Sequence, residues 1–112
     1  MARTVPALPL AVRRALRKLG ADLRDARKRR RIPLELLARR ALTSHVTLMK
    51  AERGDASVSM GVYANALFAL GLVERLAMVA DPAFDRVGQA LEAERLPHRA
   101  RRPMARKTPD DE

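Results

Sequence analysis

Residues 34–54 read LELLARRALTSHVTLMKAERG, and this stretch predicts two short helices joined by a tight turn. The first helix is expected over 34–41, because Pro33 suits the first turn of a helix, where no amide donor is needed. The second helix is expected over 45–53, and Ser44 is its predicted N-cap, since a serine hydroxyl can accept a hydrogen bond from a first-turn amide.

The two helices are expected to pack so that the second one faces solvent. Ala38 lies where they would cross, and its small side chain permits a close approach. Leu48 and Ala51 would anchor the second helix to the core, and Gly54 would follow it in a left-handed conformation. The residues left facing outward are His45, Val46, Thr47, Met49, Lys50 and Arg53.

The rest of the chain is also predicted to be helical. Apolar residues at three- and four-residue spacing predict a first helix that begins near Pro9 and fades within 29–31. Further helices are expected over 60–70 with Ser59 as N-cap, over about 73–79, and from an Asp81 N-cap to Pro97. Their inward faces are predicted to hold Met60, Tyr63, Ala64, Leu67 and Leu70, and then Phe84, Val87, Gly88 and Leu91. No segment alternates as a half-buried strand does, so the predicted fold class is all-α.

Positive charge is concentrated in one half of the chain. The 112 residues carry a formal net charge of +10. Residues 1–53 hold 15 basic and 4 acidic side chains, whereas residues 54–94 hold 2 basic and 6 acidic ones. Such a field attracts polyanions, so DNA and RNA are the expected partners, and an anionic membrane ranks third. Because only 3% of the residues are aromatic, binding of single-stranded RNA by base stacking is disfavoured.

Several other classes of protein do not fit the composition. The chain has no cysteine, which excludes disulfides and thiolate metal sites. His45 and His98 lie far apart without obvious ligand partners, which argues against zinc. No apolar stretch reaches the roughly 20 residues that span a bilayer, and residues 1–10 do not resemble a signal peptide. We find no nucleophile paired with a base and no glycine-rich phosphate loop, so we expect no enzyme activity and no cofactor.

Several short motifs, in this order and spacing, resemble one family. They are Leu19-Gly20, Leu23-Arg24, Ala26-Arg27, Leu37-Ala38, Ser44, Thr47-Leu48, Glu52-Arg53-Gly54, Ser59-Met60 and Ala69-Leu70-Gly71-Leu72. Over residues 18–72 they resemble the phage-repressor or XRE type of helix-turn-helix domain. The resemblance implies a lambda-repressor-like fold of about five helices that binds double-stranded DNA, usually as a homodimer. The chain differs at Leu42, where many members have glycine, and a left-handed leucine there costs on the order of 1 kcal/mol.

The resemblance also implies which residues contact DNA. On the recognition helix these are Ser44, His45, Val46, Thr47, Lys50 and Arg53. Leu34 and Glu35 lie where the family opens its second helix beside the DNA backbone, although many members have glutamine in place of Leu34. Phosphate contacts are expected from the cations of the first two helices, because consecutive cations repel one another unless an anion is near. These residues are Arg27, Lys28, Arg29, Arg30, Arg31, Arg39 and Arg40.

The predicted organisation has four parts. Residues 1–17 extend the first helix, and residues 18–72 form the DNA-binding domain. Residues 73–97 form C-terminal helices that are the candidate dimer or partner interface, and residues 98–112 form a disordered basic tail. We expect the protein to be a transcriptional regulator that acts as a repressor. Its expected location is the cytoplasm, in association with the nucleoid.

Two alternative functions remain open. Asp81-Pro82, Asp85, Val87-Gly88, Leu91, Leu96-Pro97 and Arg99 resemble the C-terminal part of HipB-like antitoxins. That resemblance implies an antitoxin that restrains a HipA-like kinase toxin and represses its own operon. The other alternative is a basic protein that binds nucleic acid without any sequence preference.

Overall fold

A computed structural model of the protein describes residues 7–95, and every regular element in that range is a helix. The α-helices are α1 (Leu10–Arg29), α2 (Leu34–Arg40), α3 (His45–Glu52), α4 (Met60–Ala69), α5 (Val73–Ala77) and α6 (Arg86–Arg95), with a 3-10 helix at Pro82–Phe84. The all-α fold class is confirmed for residues 7–95, which contain no strand. The predicted tail over 98–112 lies outside the described residues. None of the described helices is long and apolar enough to span a bilayer.

Four successive helices end in the same way. The residue after each C-cap has a positive φ: 54° at Arg31, 58° at Leu42, 76° at Gly54 and 80° at Gly71. The next residue then donates its amide to a carbonyl five residues back, as in Ile32 to Arg27 at 3.2 Å and Thr43 to Ala38 at 2.9 Å. These are the bonds of a Schellman motif. The turn at Leu42 is therefore kept without a glycine, at a cost of about 1 kcal/mol.

The predicted N-caps are confirmed for α3 and α4. The Ser44 hydroxyl accepts a hydrogen bond from the amide of Thr47 at 3.1 Å, and that of Ser59 accepts one from Val62 at 3.2 Å. Pro33 is the N-cap of α2 and not a residue of its first turn, so it precedes the helix by one residue.

The predicted sixth helix is wrong at its start. Asp81 caps only the 3-10 helix, where its carboxylate accepts a hydrogen bond from the amide of Ala83 at 2.8 Å. The helical structure is interrupted at Asp85. Its carboxylate accepts a hydrogen bond from the amide of Gly88 at 2.9 Å at the start of α6. Two helices, each capped by its own aspartate, thus take the place of the one continuous helix that the sequence predicts.

The core lies among α1, α2, α3 and α4. Its largest fully buried side chains are those of Leu23, Leu37 and Leu48, one from each of the first three helices. The other buried core residues are Ala26, Ala38, Ala41, Ala51, Val58, Tyr63, Ala66 and Leu70. Most of them are small, so the helices approach closely.

The inward face of α4 agrees with the prediction except at its start. Tyr63 and Leu70 are buried, and Ala64 and Leu67 are half-buried, whereas Met60, also predicted to face inward, is 72% exposed. Two hydrogen bonds join this helix to the rest of the first unit. The Tyr63 hydroxyl donates to the carbonyl of Asp55 at 2.8 Å, and the Asn65 amide donates to the carbonyl of Ala41 at 3.1 Å.

The described residues form two compact units that divide after Leu76. The first unit holds the core. In the second, residues 77–95 contain no buried side chain. The predicted inward residues Phe84, Val87 and Leu91 are exposed by 70%, 71% and 57%. The periodic pattern there forms a helix, but its apolar face is uncovered.

Candidate nucleic-acid interface

The two sides of α3 have opposite characters. Leu48 and Ala51 are fully buried, as expected from the sequence. On the other side, Val46, Lys50 and Arg53 are exposed and follow one another at spacings of four and three residues. Such spacing places them on one stripe of the helix and its C-cap. The stripe therefore offers two cations and one apolar side chain to a partner.

The start of α3 is held by its own side chains. Besides capping the amide of Thr47, the Ser44 hydroxyl donates to the Thr47 hydroxyl at 3.1 Å. Ser44 is exposed and Thr47 is half-buried. His45, the next residue, is exposed and lines a shallow cleft between α2 and α3 together with Glu35 and Arg39. The cleft places an imidazole, a guanidinium and a carboxylate together beside the first turn of α3.

Exposed cations surround the ends of α1 and α2. Lys28, Arg29, Arg30 and Arg31 are exposed at the end of α1, and Arg39 and Arg40 are exposed in the last turn of α2. Arg30 also donates to the carbonyl of Ala26 at 2.9 Å. Cations near a helix C-terminus are stabilised by the partial negative charge of the last carbonyls. This attraction offsets part of the repulsion among the consecutive cations. Their outer surface remains available to an anion.

Arg27 differs from the other predicted phosphate contacts. Its Nε donates to Glu52 Oε2 at 2.7 Å and its Nη2 donates to Glu52 Oε1 at 3.1 Å. Its remaining nitrogen donates to the carbonyl of Ile32 at 3.1 Å. The Arg27 and Glu52 side chains are only 11% and 7% exposed. The predicted phosphate contact of Arg27 does not fit this arrangement, because the guanidinium joins α1 to α3 and has little exposed surface.

The sequence contains a signal for this ion pair that was missed. Glu52 follows Leu48 by four residues and Ala51 by one, so it lies beside the buried face of α3. Arg27 follows Leu23 of α1 by four residues in the same manner. A charge at such a position needs a charged partner, because burial of an unpaired charge is costly.

A groove runs beside this ion pair. It is lined by Arg24 of α1, Leu34 of α2, Met49 of α3 and the C-cap residue Arg53. Arg24 is exposed and was not among the predicted contact residues. Its position one turn before Lys28 on α1 is the signal that would have found it. Cations from α1 and from the end of α3 thus share one groove with the apolar side chains of Leu34 and Met49.

The loop after α3 is held by hydrogen bonds between Asp55 and Ser57. The Asp55 carboxylate accepts hydrogen bonds from the Ser57 amide at 2.8 Å and the Ser57 hydroxyl at 2.7 Å. These bonds lower the pKa of Asp55, and the charges of Lys50 and Arg53 lower it further. Burial raises the pKa of the Tyr63 hydroxyl, and the nearby charge of Asp55 adds to that shift. Asp55 thus stays ionised beside the cationic stripe.

Comparison of the chain with known protein families, curated proteins and solved structures gives no match. Within residues 7–95 no three histidine, aspartate or glutamate side chains come together as a metal site. The geometry of α1, α2 and α3 is therefore the basis for a functional proposal.

Proposed function

We propose that this protein is a sequence-specific double-stranded DNA-binding regulator of transcription, acting as a repressor. In this proposal α2 and α3 form a helix-turn-helix of the XRE type, and α3 enters the major groove. The observation that carries the proposal is the exposed stripe of Val46, Lys50 and Arg53, opposite the buried Leu48 and Ala51. A helix of this shape fits the major groove, where each base pair presents a distinct pattern of donors and acceptors.

The stripe supplies two kinds of base contact. Lys50 can donate to the acceptor edge of guanine, and Val46 can contact the methyl group of thymine. His45, at the first turn, lies where helix-turn-helix proteins contact base edges or flanking phosphates. Ser44 and Thr47 contribute mainly by holding this turn in place.

The surrounding cations supply affinity that does not depend on sequence. The exposed side chains concerned are Lys28, Arg29, Arg30, Arg31, Arg39 and Arg40. Each phosphate that they neutralise releases counterions, so the binding constant falls steeply with salt, with a logarithmic slope of about −0.9 per contact. As a homodimer, the protein would place two copies of α3 in successive major grooves about 34 Å apart.

The decisive experiment is selection from a random duplex DNA library at near-physiological salt. The proposal expects an enriched palindrome whose half-sites lie about 10 base pairs apart. Absence of enrichment, with binding still strongly salt-dependent, would instead indicate a basic protein without sequence preference. That outcome would overturn the regulator proposal.

Two variants then separate the roles of the cations. Lys50→Ala should relax the base preference at one position of each half-site, at a cost of about 1–3 kcal/mol on the selected site. Arg39→Ala should weaken binding to all sequences alike and reduce the salt slope by about one unit. Arg86→Ala, an exposed cation of α6, is the matched control and should change neither quantity. Equal losses on selected and random DNA for both α2 and α3 variants would contradict these assignments.

The second candidate function is that of a HipB-like antitoxin. It is favoured by the exposed apolar side chains of Phe84, Val87 and Leu91, which a partner protein would cover. Binding to a HipA-like kinase would then be the main activity, and DNA binding would be autoregulation in the cytoplasm, at the nucleoid. Co-purification with a kinase encoded beside the gene would support it, and the absence of such a neighbouring gene would weaken it.

A further inference from the structure

The outer face of α4 is not part of the proposed DNA interface. From residue 56 to residue 73 the chain has no charged side chain, although 32% of all its residues are charged. Among the described residues, α4 is the only α-helix without a lysine, arginine, aspartate or glutamate. An uncharged helix face is unsuited to phosphate groups.

This face exposes large apolar side chains in one line. Met60 is 72% exposed and Phe68 is 69% exposed. Ala64 lies midway between them and is half-buried, and Gly61 beside Met60 is exposed. The four-residue spacing places Met60, Ala64 and Phe68 on one stripe of the helix, about 12 Å from end to end at 1.5 Å per residue. We call these residues the α4 stripe.

We propose that the α4 stripe binds the α4 stripe of a second copy of this chain, as the interface of a two-fold symmetric dimer. The argument rests on charge. Two copies repel one another wherever the cationic surfaces supplied by residues 1–53, which hold 15 basic and 4 acidic side chains, come close together. A two-fold interface brings the same patch of both subunits together, so a cation near the axis would face its own copy. The uncharged α4 stripe avoids this repulsion, whereas a partner of opposite charge would be drawn to other faces.

The stripe is also self-complementary in shape. If the two helices cross antiparallel at Ala64, Met60 of each copy lies against Phe68 of the other. A thioether beside an aromatic ring is a favourable contact. Gly61 and Ala64, being small, leave room for the phenylalanine ring of the opposite copy. The alternative of parallel helices would bring each Phe68 to its own copy and leave Met60 without the ring.

The chain offers a matched control for this proposal. It has two phenylalanines, Phe68 in α4 and Phe84 in the second unit, and their exposed fractions are 69% and 70%. The sequence predicts the dimer or partner interface over residues 73–97, which include Phe84 but not Phe68. The two surfaces can therefore be distinguished by the same substitution at two equally exposed positions.

The experiment is sedimentation velocity of the full chain without DNA, over a concentration series. The wild type should dimerise, Phe68→Glu should raise the dimer Kd at least tenfold, and Phe84→Glu should leave it unchanged. Circular dichroism melts check that both variants fold. A monomeric wild type, or a loss of dimer in Phe84→Glu but not in Phe68→Glu, would overturn the proposal. Because DNA is absent, either result concerns the dimer and its interface, and the contacts of α3 with bases are tested separately by the library selection.

A mixing experiment tests the antiparallel arrangement. Met60→Lys alone and Phe68→Glu alone should both be monomeric, since each places a charge against an apolar side chain at both ends of the interface. An equimolar mixture should dimerise again, because one end then pairs lysine with glutamate and the other keeps the native contact. Failure of the mixture to dimerise, with both variants folded, would contradict the pairing of residue 60 with residue 68.

Discussion

The first unit, which ends at Leu76, and residues 77–95 place apolar side chains at similar helical spacings, yet only the first unit buries them. Leu48 in α3 has no exposed surface, whereas Leu91 in α6 is 57% exposed. The difference lies in the surroundings, because α3 packs against α1, α2 and α4, whereas α6 contacts the short 3-10 helix of its own unit. Periodicity thus determines which face of a helix is apolar, and the rest of the fold determines whether that face is covered.

The two regions should also differ in local stability. Isolated helices of fewer than about 12–15 residues are marginal in water, because nucleation is costly and packing supplies most of the stability. α6 has 10 residues and none of them is buried. We therefore expect its amides to exchange with solvent through local opening, whereas those of α1 and α3 exchange only through global unfolding.

The largest effect should come from the leucines that define this comparison. Leu48→Ala removes a fully buried side chain and leaves a cavity, so the free energy of unfolding should fall by about 4 kcal/mol. Leu91→Ala should change it by less than about 0.5 kcal/mol. Urea unfolding of both variants measures the difference. Similar losses at the two positions would show that α6 is packed against a partner in solution.

A smaller effect tests the backbone packing of the first unit. Gly54 and Gly71 both have φ near +80°, so alanine is strained at either position. A Cβ on Gly54 would also clash with the backbone of Leu16 and Arg17, whereas a Cβ on Gly71 would meet nothing within 4 Å. Gly54→Ala should therefore cost about 3 kcal/mol, and Gly71→Ala about 1 kcal/mol. Equal thermal destabilisation of the two variants would refute the close approach of α1 to the end of α3.

The two ion pairs of the described residues provide the next test. Arg27→Ala leaves Glu52 largely buried without a partner and should cost about 2 kcal/mol, somewhat less than for a fully buried pair. Lys18→Ala breaks the pair with Asp22, whose side chains are 77% and 57% exposed. That change should lie near the lower end of the 0–1 kcal/mol range of surface pairs. Added salt should leave the difference between the two variants nearly unchanged, because buried charges are poorly screened.

The smallest effect concerns Tyr63 and its dependence on pH. Tyr63→Phe removes the hydrogen bond to the Asp55 carbonyl and should cost about 1 kcal/mol at neutral pH. Because the pKa of Tyr63 is raised in the folded protein, the unfolded chain ionises first. The wild type should therefore lose stability as the pH rises above about 10, and through the folded pKa. Urea midpoints of the two proteins should converge in that range, and parallel curves would contradict the assignment.

Much of the fold was predictable because the signals for it are local. Ser44 and Ser59 mark helix starts through hydrogen bonds that span three residues, and Gly54 and Gly71 mark helix ends through their φ angles. The outward stripe of α3 follows from its periodicity in the same way. The left-handed conformation of Arg31 had no comparable signal, since it is not a glycine.

The features that the sequence analysis missed depend on tertiary contacts. In the sequence Arg27 is one of five consecutive cations, whereas its partner Glu52 lies 25 residues away. Tyr63 and Asn65 of α4 donate hydrogen bonds to the carbonyls of Asp55 and Ala41, which lie 8 and 24 residues earlier in the chain. Neither partner is determined by spacing within one helix, so residue patterns alone could not assign them.

The four matching helix ends have a consequence for the kinetics of folding. Each is completed by hydrogen bonds that span no more than five residues, so every turn from α1 to α4 can form before distant parts of the chain meet. Proteins dominated by such local contacts fold within microseconds to milliseconds. The close approach of Gly54 to Leu16 and the ion pair of Arg27 with Glu52 close long loops, and we expect them to form late, after the rate-limiting barrier.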